Sequence, residues 1–338
     1  MATGDATVLV GILLVPGFSL MALSAVSEPI RAANRMSGKP LYSWKLISID
    51  GEPITSSSGF TLLPHASIET AGPLDMVVAI ASLDVAGFQD RRVFDWLRRL
   101  AGQGCPIGAA STAPLILARA GVLNGYRATI HWEAMPDMAE EFPDLDISRD
   151  LFVVDRDRFT CAGGTAGLDM MLALIERQHG HALAVAVAEQ FLHTRIRPPS
   201  DSQRMDILSR YDITDTRLAN AIVLMEQNIE HPLPTPAIAL RVGISSRQLE
   251  RLFLSAFGNT PAKFYLDLRL QQARRLLAET GQSILQIALR CGFASASHFG
   301  KCYREAFQST PARSRRGQDV GISTKHVGAA DDDTGKLS

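Results

Sequence analysis

The sequence predicts a doubly wound α/β domain with a mostly parallel sheet, followed by an all-α domain holding two helix-turn-helix units. Three observations lead there. Short, wholly apolar runs alternate with helical patterns in the first half of the chain. Two blocks of the last third recur at offsets of 49 and 50 residues. Charge is also divided along the chain, although the net charge of the 338 residues is only −1. At about 150 residues per domain, this length is enough for two domains with cores of their own.

The runs Val8–Val15, Asp75–Ala81 and Pro106–Ala110 read as strands buried on both faces. Met21–Ala33, Phe88–Ala101 and Pro114–Ala120 read as helices; Val93, Phe94, Trp96, Leu97 and Leu100 form the apolar side of the second. Such alternation implies parallel strands, with sites forming beyond their carboxyl ends. Val8–Val15 has eight residues, whereas a membrane span needs about 20. Asp5 stands where a signal peptide has positive charge, and no small-residue cleavage site follows. A cytoplasmic protein without membrane contact is therefore expected. Cys105, Cys161, Cys291 and Cys302 form no C-x-x-C pair, so no disulfide framework, metal site or cofactor is expected.

Residues 1–214 carry 18 Lys and Arg against 24 Asp and Glu, residues 215–316 carry 14 against 7, and residues 317–338 carry 2 against 4. A block of net +7 beside one of −6 suggests a polyanion partner, the alternative being a solvated basic face. The expected organisation is a first domain over 6–196, a linker over 197–214 and a second domain over 215–316. Arg197-Pro-Pro-Ser-Asp-Ser202 gives the linker its chemistry. The Gly-, Ser- and Asp-rich residues 317–338 read as a disordered tail.

The strand ending at Ala110 runs into Ser111-Thr112-Ala113-Pro114, where small residues permit a sharp strand-to-helix turn. Ser111 is then either thrust into a pocket at a helix N-terminus or is an ordinary helix cap. A second strand–turn–helix, Phe159–Met171, is like a phosphate loop only superficially, for it lacks the G-K-[ST] ending. The stretch STAPLILARAGVLNGYRATIHW, Ser111 to Trp132, resembles the elbow region of the PfpI/ThiJ-like superfamily, relatives of class I glutamine amidotransferases. Within it the chain is most similar to the sensor domain of GlxA-type regulators, as Thr165–Asp169 also suggests. The resemblance covers roughly residues 8–195 and implies a flavodoxin-like, amidotransferase-like fold. It places Ser111 where related enzymes carry a nucleophilic cysteine, and His131 on the partner histidine.

A serine hydroxyl needs a well-placed base, and that base needs an orienting third group. The superfamily's acid belongs in the helix after the first strand, but here Leu20 stands near that place and no carboxylate occurs before Glu28. A binding pocket without catalysis is therefore expected, with a Ser111/His131-dependent hydrolase or amidase as the alternative. Ser111, Thr112, His131, Trp132, Glu133 and Phe18 are the candidate lining. An aromatic face beside a carboxylate, Trp132 and Glu133, suits a cationic ligand, unless Trp132 is core and Glu133 merely surface. Glu189–Pro198 with Gln203-Arg204 resembles the regulators of glycine betaine, carnitine and arginine catabolism, which implies a small amine effector of that kind.

The repeat is the clearest internal signal. Ile238-Ala-Leu-Arg-Val-Gly243 returns as Ile287-Ala-Leu-Arg-Cys-Gly292, and Ala256-Phe257-x-x-Thr260-Pro-Ala262 returns as Ala306-Phe307-x-x-Thr310-Pro-Ala312, with one residue inserted between. Each copy has a short helix (Ala237–Arg241, Ile284–Arg290), a turn glycine and a Ser-capped second helix. Leu249, Leu252, Phe253, Ala256 and Phe257, then Phe299, Cys302, Tyr303, Ala306 and Phe307, are expected as buried stripes. That leaves Ser246, Arg247, Gln248, Glu250 and Arg251, and Ser295, Ser297, His298, Lys301 and Arg304, as candidate DNA contacts. A protein–protein module is the alternative. Residues 218–316 resemble the AraC/XylS DNA-binding domain, with Ala262–Glu279 as its linking helix. Ser314 stands where that family has an aromatic residue, which weakens C-terminal packing. The resemblance implies double-stranded DNA, RNA polymerase and a second copy of the chain as partners, and leans towards activation.

Overall fold

In the computed structural model, residues 6–82 and 85–316 are described, and the tail expected at 317–338 lies outside them. The chain divides into two units between Arg204 and Met205. The first contains strands β1 (Val8–Leu14), β2 (Tyr42–Ser48), β3 (Ile54–Thr55), β4 (Thr61–Leu62), β5 (Ala66–Ser67), β6 (Met76–Ala81), β7 (Ile107–Ser111), β8 (Arg127–Thr129), β9 (Asp146–Ser148), β10 (Phe152–Asp155) and β11 (Arg158–Cys161). Its helices are α1 (Leu20–Ser37), α2 (Arg91–Gly102), α3 (Pro114–Arg119), α4 (Met135–Glu141), α5 (Ala166–His179) and α6 (His181–Gln190).

Seven strands form the main sheet in the order β10-β11-β7-β6-β1-β2-β5. All neighbours are parallel except the edge pair β10–β11. Every residue of β6 and β7 is buried, as central strands covered on both faces must be. One core joins the sheet to α1, α5 and α6, the other to α2 and α3. The second helix begins at Arg91, later than the expected Phe88, because the Asp90 carboxylate caps it by accepting from the Arg92 N–H.

Residues 197–204, expected as linker, are built into the first unit. The Leu151 N–H donates to the Pro199 carbonyl at 2.8 Å, and Asp150 and Ser202 form an isolated antiparallel bridge. Residues 207–211 form α7 (Ile207–Tyr211), whose Ile207 is in the core of the second unit. Pro-rich composition there marks a backbone that cannot join helix or strand, not one that is free.

The second unit continues with α8 (Thr216–Gln227), α9 (Thr235–Arg241), α10 (Ser246–Phe257), α11 (Pro261–Glu279), α12 (Ile284–Arg290), α13 (Ala296–Phe307) and α14 (Pro311–Arg315). It has two cores, one per repeat, both fed by the long α11. Tyr265, Phe264 and Leu268 pack in the first, and Leu270, Ala273, Leu276 and Leu277 in the second. Ala256 and Ala306, expected in the buried stripes, are exposed, while Leu249, Phe253, Phe299 and Tyr303 are fully buried. These larger side chains reach the core from the same face, so the alanines at its margin need not. Despite Ser314, α14 packs against α11, and its Pro311 is buried.

Candidate functional site

The turn after β7 settles what Ser111 is locally. Ser111 is buried and has φ of 65°, in the left-handed region that side chains avoid. It does not cap α3, whose cap position is Ala113 and carries no side-chain hydrogen bond. The residue is the apex of a strained strand-to-helix elbow. A Cβ on Gly163 would lie 2.6 Å from the Ser111 Cβ and 2.7 Å from its Cα, so only glycine fits beneath it. The glycine-rich turn after β11, Ala162-Gly163-Gly164-Thr165, is therefore packing space for the elbow.

The rest of the site is held to this apex by the backbone. The His131 N–H donates to the Ser111 carbonyl at 3.1 Å, and the Thr112 hydroxyl donates to the Ser82 carbonyl at 2.7 Å. His131 and Trp132 are neighbouring rings, 5.7 Å apart and tilted by 37°. Burial of the His131 imidazole lowers its pKa from 6.5, and the Glu133 carboxylate, 3.6 Å from Nδ1, pulls the other way. Nδ1 also accepts from the Glu133 N–H at 3.4 Å. Phe18, expected in the lining, is fully inside the core, its backbone bridged to Ser82, so no ligand reaches it as the site stands. Arg204 places its guanidinium carbon 4.3 Å from the centre of the Trp132 ring.

Among the described residues no hydrogen bond joins the Ser111 hydroxyl to His131, the proton path that nucleophilic attack requires. Glu28, the first carboxylate of α1, pairs with Arg31 at 2.7 Å. The buried Cys161 thiol lies against the backbone N–H groups of Ser111 and Gly163, yet burial pushes its pKa up to about 12. It therefore stays protonated and is a poor substitute nucleophile. Among the described residues no His, Cys, Asp and Glu cluster could hold a metal ion.

The Thr165–Asp169 motif has a structural duty. Gly167 brings α5 close to α1, since a Cβ there would be 3.0 Å from that of Ala25. The fully buried Asp169 accepts from the Arg197 N–H, Nε and Nη2 at 2.8, 2.9 and 2.6 Å, and its Oδ1 bonds His193 Nε2 at 2.8 Å.

In the second unit the repeat holds at the level of single residues. Gly243 and Gly292 have φ of 74° and 73°, and the following N–H groups, of Ile244 and Phe293, close the same turn onto Ala239 and Ala288. The inserted residue is thus Ala294, after the turn and before the cap Ser295. Beyond it, α10 and α13 are both 12 residues long and superpose in sequence, Arg247 on Ser297 and Arg251 on Lys301.

Arg247, Gln248, Glu250, Arg251, Ser297, His298, Lys301 and Arg304 are exposed, and Ser246 is half-buried. Two candidates also have local work. The Gln248 side-chain Oε1 accepts from the Ser245 N–H in a capping box, and the Ser295 hydroxyl accepts from the His298 N–H. Sequence reading missed Arg269, whose guanidinium donates to the Cys291 and Gly292 carbonyls at 2.8 and 2.7 Å and covers Phe293. Its position on the linking helix gave no local signal.

Comparison with known proteins agrees with both halves. Residues 11–177 match the DJ-1/PfpI family, and residues 238–317 match a helix-turn-helix domain family. The HTH-type transcriptional regulator GbdR of Pseudomonas aeruginosa is 41% identical over 312 residues, 92% of this chain and 85% of the regulator. An isonitrile hydratase of Pseudomonas putida is 30% identical over 212 residues, 62% of this chain and 84% of the enzyme. The crystal structure of an AraC family transcriptional regulator from Pseudomonas putida is similar with a TM-score of 0.51 at 26% identity, over 54% of this chain and 99% of that one.

Proposed function

We propose, from the premise that this chain belongs to the family of HTH-type transcriptional regulators that join a DJ-1/PfpI domain to an AraC-type reader, that a small cationic or zwitterionic amine controls its binding to DNA. The observation that carries the reading is the group around the elbow: the Trp132 face and the Glu133 carboxylate flank an imidazole whose proton affinity burial lowers. An uncharged His131 does not repel a cation, and an aromatic face attracts one. Glycine betaine, carnitine and arginine are the candidates. Calorimetry on the full chain with these three compounds tests this, with binding to at least one and its loss in Trp132→Leu expected; silence from all three contradicts it.

On the reader, Arg251 and Lys301 occupy equivalent places on the two recognition helices and are proposed to contact base edges or phosphate in the major groove. Arg251→Ala should cost roughly 1–3 kcal/mol on specific duplex and relax sequence preference. Equal weakening on specific and random duplex would contradict a base-reading role. A dimer on paired sites that activates transcription through RNA polymerase is the proposed working form; ligand acts by favouring the DNA-competent state.

A second reading, hydrolysis at Ser111, has the elbow itself in its favour, because φ of 65° is the conformation that presents a nucleophile. Hydrolysis of p-nitrophenyl acetate that disappears in Ser111→Ala would establish it.

A further inference from the structure

Resting on the reading of DNA by both recognition helices, we propose that Tyr265 and Arg269 are positioning residues that fix α13 relative to α10. The reader then selects the spacing between two base windows as well as their sequence.

Both residues stand on the linking helix α11, four apart and so on one face of it. Tyr265 is buried in the core of the first repeat, and its hydroxyl donates to the Asn228 carbonyl at 2.6 Å. It thereby holds the segment that joins α8 to α9. One helical turn further on, the Arg269 guanidinium donates to the Cys291 and Gly292 carbonyls at 2.8 and 2.7 Å and lies 4.4 Å from the centre of the Phe293 ring. The planar fork of a guanidinium fits two neighbouring oxygens, which a single-point donor cannot do. From one face, α11 therefore grips a segment of the first repeat and the turn of the second.

The two gripped pieces also touch. A Cβ on Gly292 would lie 2.5 Å from the Ile229 carbonyl oxygen and 2.6 Å from the Pro232 ring, so the second turn is pressed onto the segment that Tyr265 holds. Helix, segment and turn close a triangle, and packed pieces so arranged do not slide past one another without losing one of the three contacts. A helix-turn-helix does not need this brace. The first repeat closes the same turn, from the Ile244 N–H to the Ala239 carbonyl at 3.0 Å, as Phe293 does onto Ala288 at 2.9 Å. Yet a Cβ on Gly243 would meet nothing within 4 Å. What the brace adds is a fixed place for the second repeat against the first.

Ser295, the cap of α13, follows Gly292 by three residues, so the pose of the turn passes directly to the recognition helix. Arg251 on α10 and Lys301 on α13 are thereby held at one separation. One added base pair moves two DNA windows apart by about 3.4 Å and rotates one against the other by about 35°. Close-packed side chains do not absorb such a change.

The test uses the full-length chain and a duplex that it selects from a random pool. Hydroxyl-radical protection lost in Arg251→Ala and in Lys301→Ala marks the two windows, and one base pair is then inserted between them. The native chain should lose roughly ten-fold in affinity, as for a mismatched base pair. In Arg269→Ala that loss should shrink to about three-fold or less, whatever its affinity for the original duplex. Tyr265→Phe keeps the buried ring and removes only its hydrogen bond; its loss should also be smaller than the native one. A merely structural role weakens binding to both duplexes equally. The native ratio retained by Arg269→Ala, or by Tyr265→Phe where Arg269→Ala does not fold, would therefore overturn the proposal. A native chain indifferent to the insertion, while Arg251→Ala still relaxes base preference, would overturn spacing selection and leave DNA reading standing. Absence of any sequence preference in the native chain would remove that reading, and the proposal with it.

Discussion

The elbow at Ser111 and the turns at Gly243 and Gly292 share a positive φ, of 65°, 74° and 73°, but differ in chemistry. Glycine adopts this conformation without penalty, whereas a serine there stores strain on the order of 1–3 kcal/mol. Such strain persists only where the surroundings over-determine it, and Gly163 pressed beneath Ser111 does so. Glycine spares the two helix-turn-helix turns that strain, and the reader repeats the motif twice and varies the exposed side chains. In the first unit the strain at Ser111 presents one side chain near His131 and Trp132. That contrast is why a ligand is sought in the first unit and a polyanion on the second.

Four substitutions probe the contrast in decreasing order of effect, each followed by thermal and denaturant unfolding of the full chain. Gly163→Ala places a methyl group 2.6–2.7 Å from Ser111 atoms at a φ of 86°, and a loss above about 3 kcal/mol is expected, since neither backbone can retreat. Native-like stability would show that the elbow is not held from below. Gly292→Ala meets the Ile229 carbonyl oxygen at 2.5 Å and the Pro232 ring at 2.6 Å, which should cost about 2–3 kcal/mol. Gly243→Ala meets nothing within 4 Å, leaving backbone strain alone at about 1 kcal/mol. Equal losses at these equivalent glycines would contradict the packing difference between the repeats. Ser111→Gly has the opposite sign, with a gain of up to about 1 kcal/mol as the strain is relieved.

The smallest effect is one of pH. Burial keeps His131 below its ordinary pKa of 6.5, so the unfolded chain takes up this proton more readily than the folded one. Its contribution to stability is therefore complete above pH 6.5 and declines as pH falls below it. Affinity for a cation should decline over the same range, since protonated His131 repels it. His131→Gln should flatten both profiles; unchanged profiles would remove His131 from the site.

The parts of the fold that were legible are those fixed by local chemistry. Continuous apolar runs marked β1, β6 and β7, and glycine turns with serine caps marked both copies of the reader. β2 was not recognised because polar residues break its apolar run, Tyr-Ser-Trp-Lys-Leu-Ile-Ser, with Ser43 exposed and Lys45 half-buried. β11 was read as the strand opening Phe159–Met171, but its hairpin partner β10 was hidden by the charged turn, where Arg156 takes φ of 57°. The packing of residues 197–204 against the first unit was not legible, because Asp169, which holds Arg197, lies 28 residues earlier. Ser111, His131 and Trp132 were found through a motif, but their chemistry was not: φ at Ser111, the glycine beneath it and Arg204 over Trp132 are properties of the folded chain. Phe18 shows the reverse error, an aromatic residue near a site by sequence that the core absorbs completely.

Control of DNA binding by a cation at the elbow is tested most directly by one affinity. The full chain is titrated onto a duplex it selects from a random pool, with and without glycine betaine, carnitine or arginine, beside Trp132→Leu. An allosteric coupling of about 1–3 kcal/mol corresponds to a shift of roughly 5- to 150-fold in the native chain for at least one compound, and none is expected in Trp132→Leu. An equal shift in both proteins, or no shift in the native chain with any of the three, would contradict it.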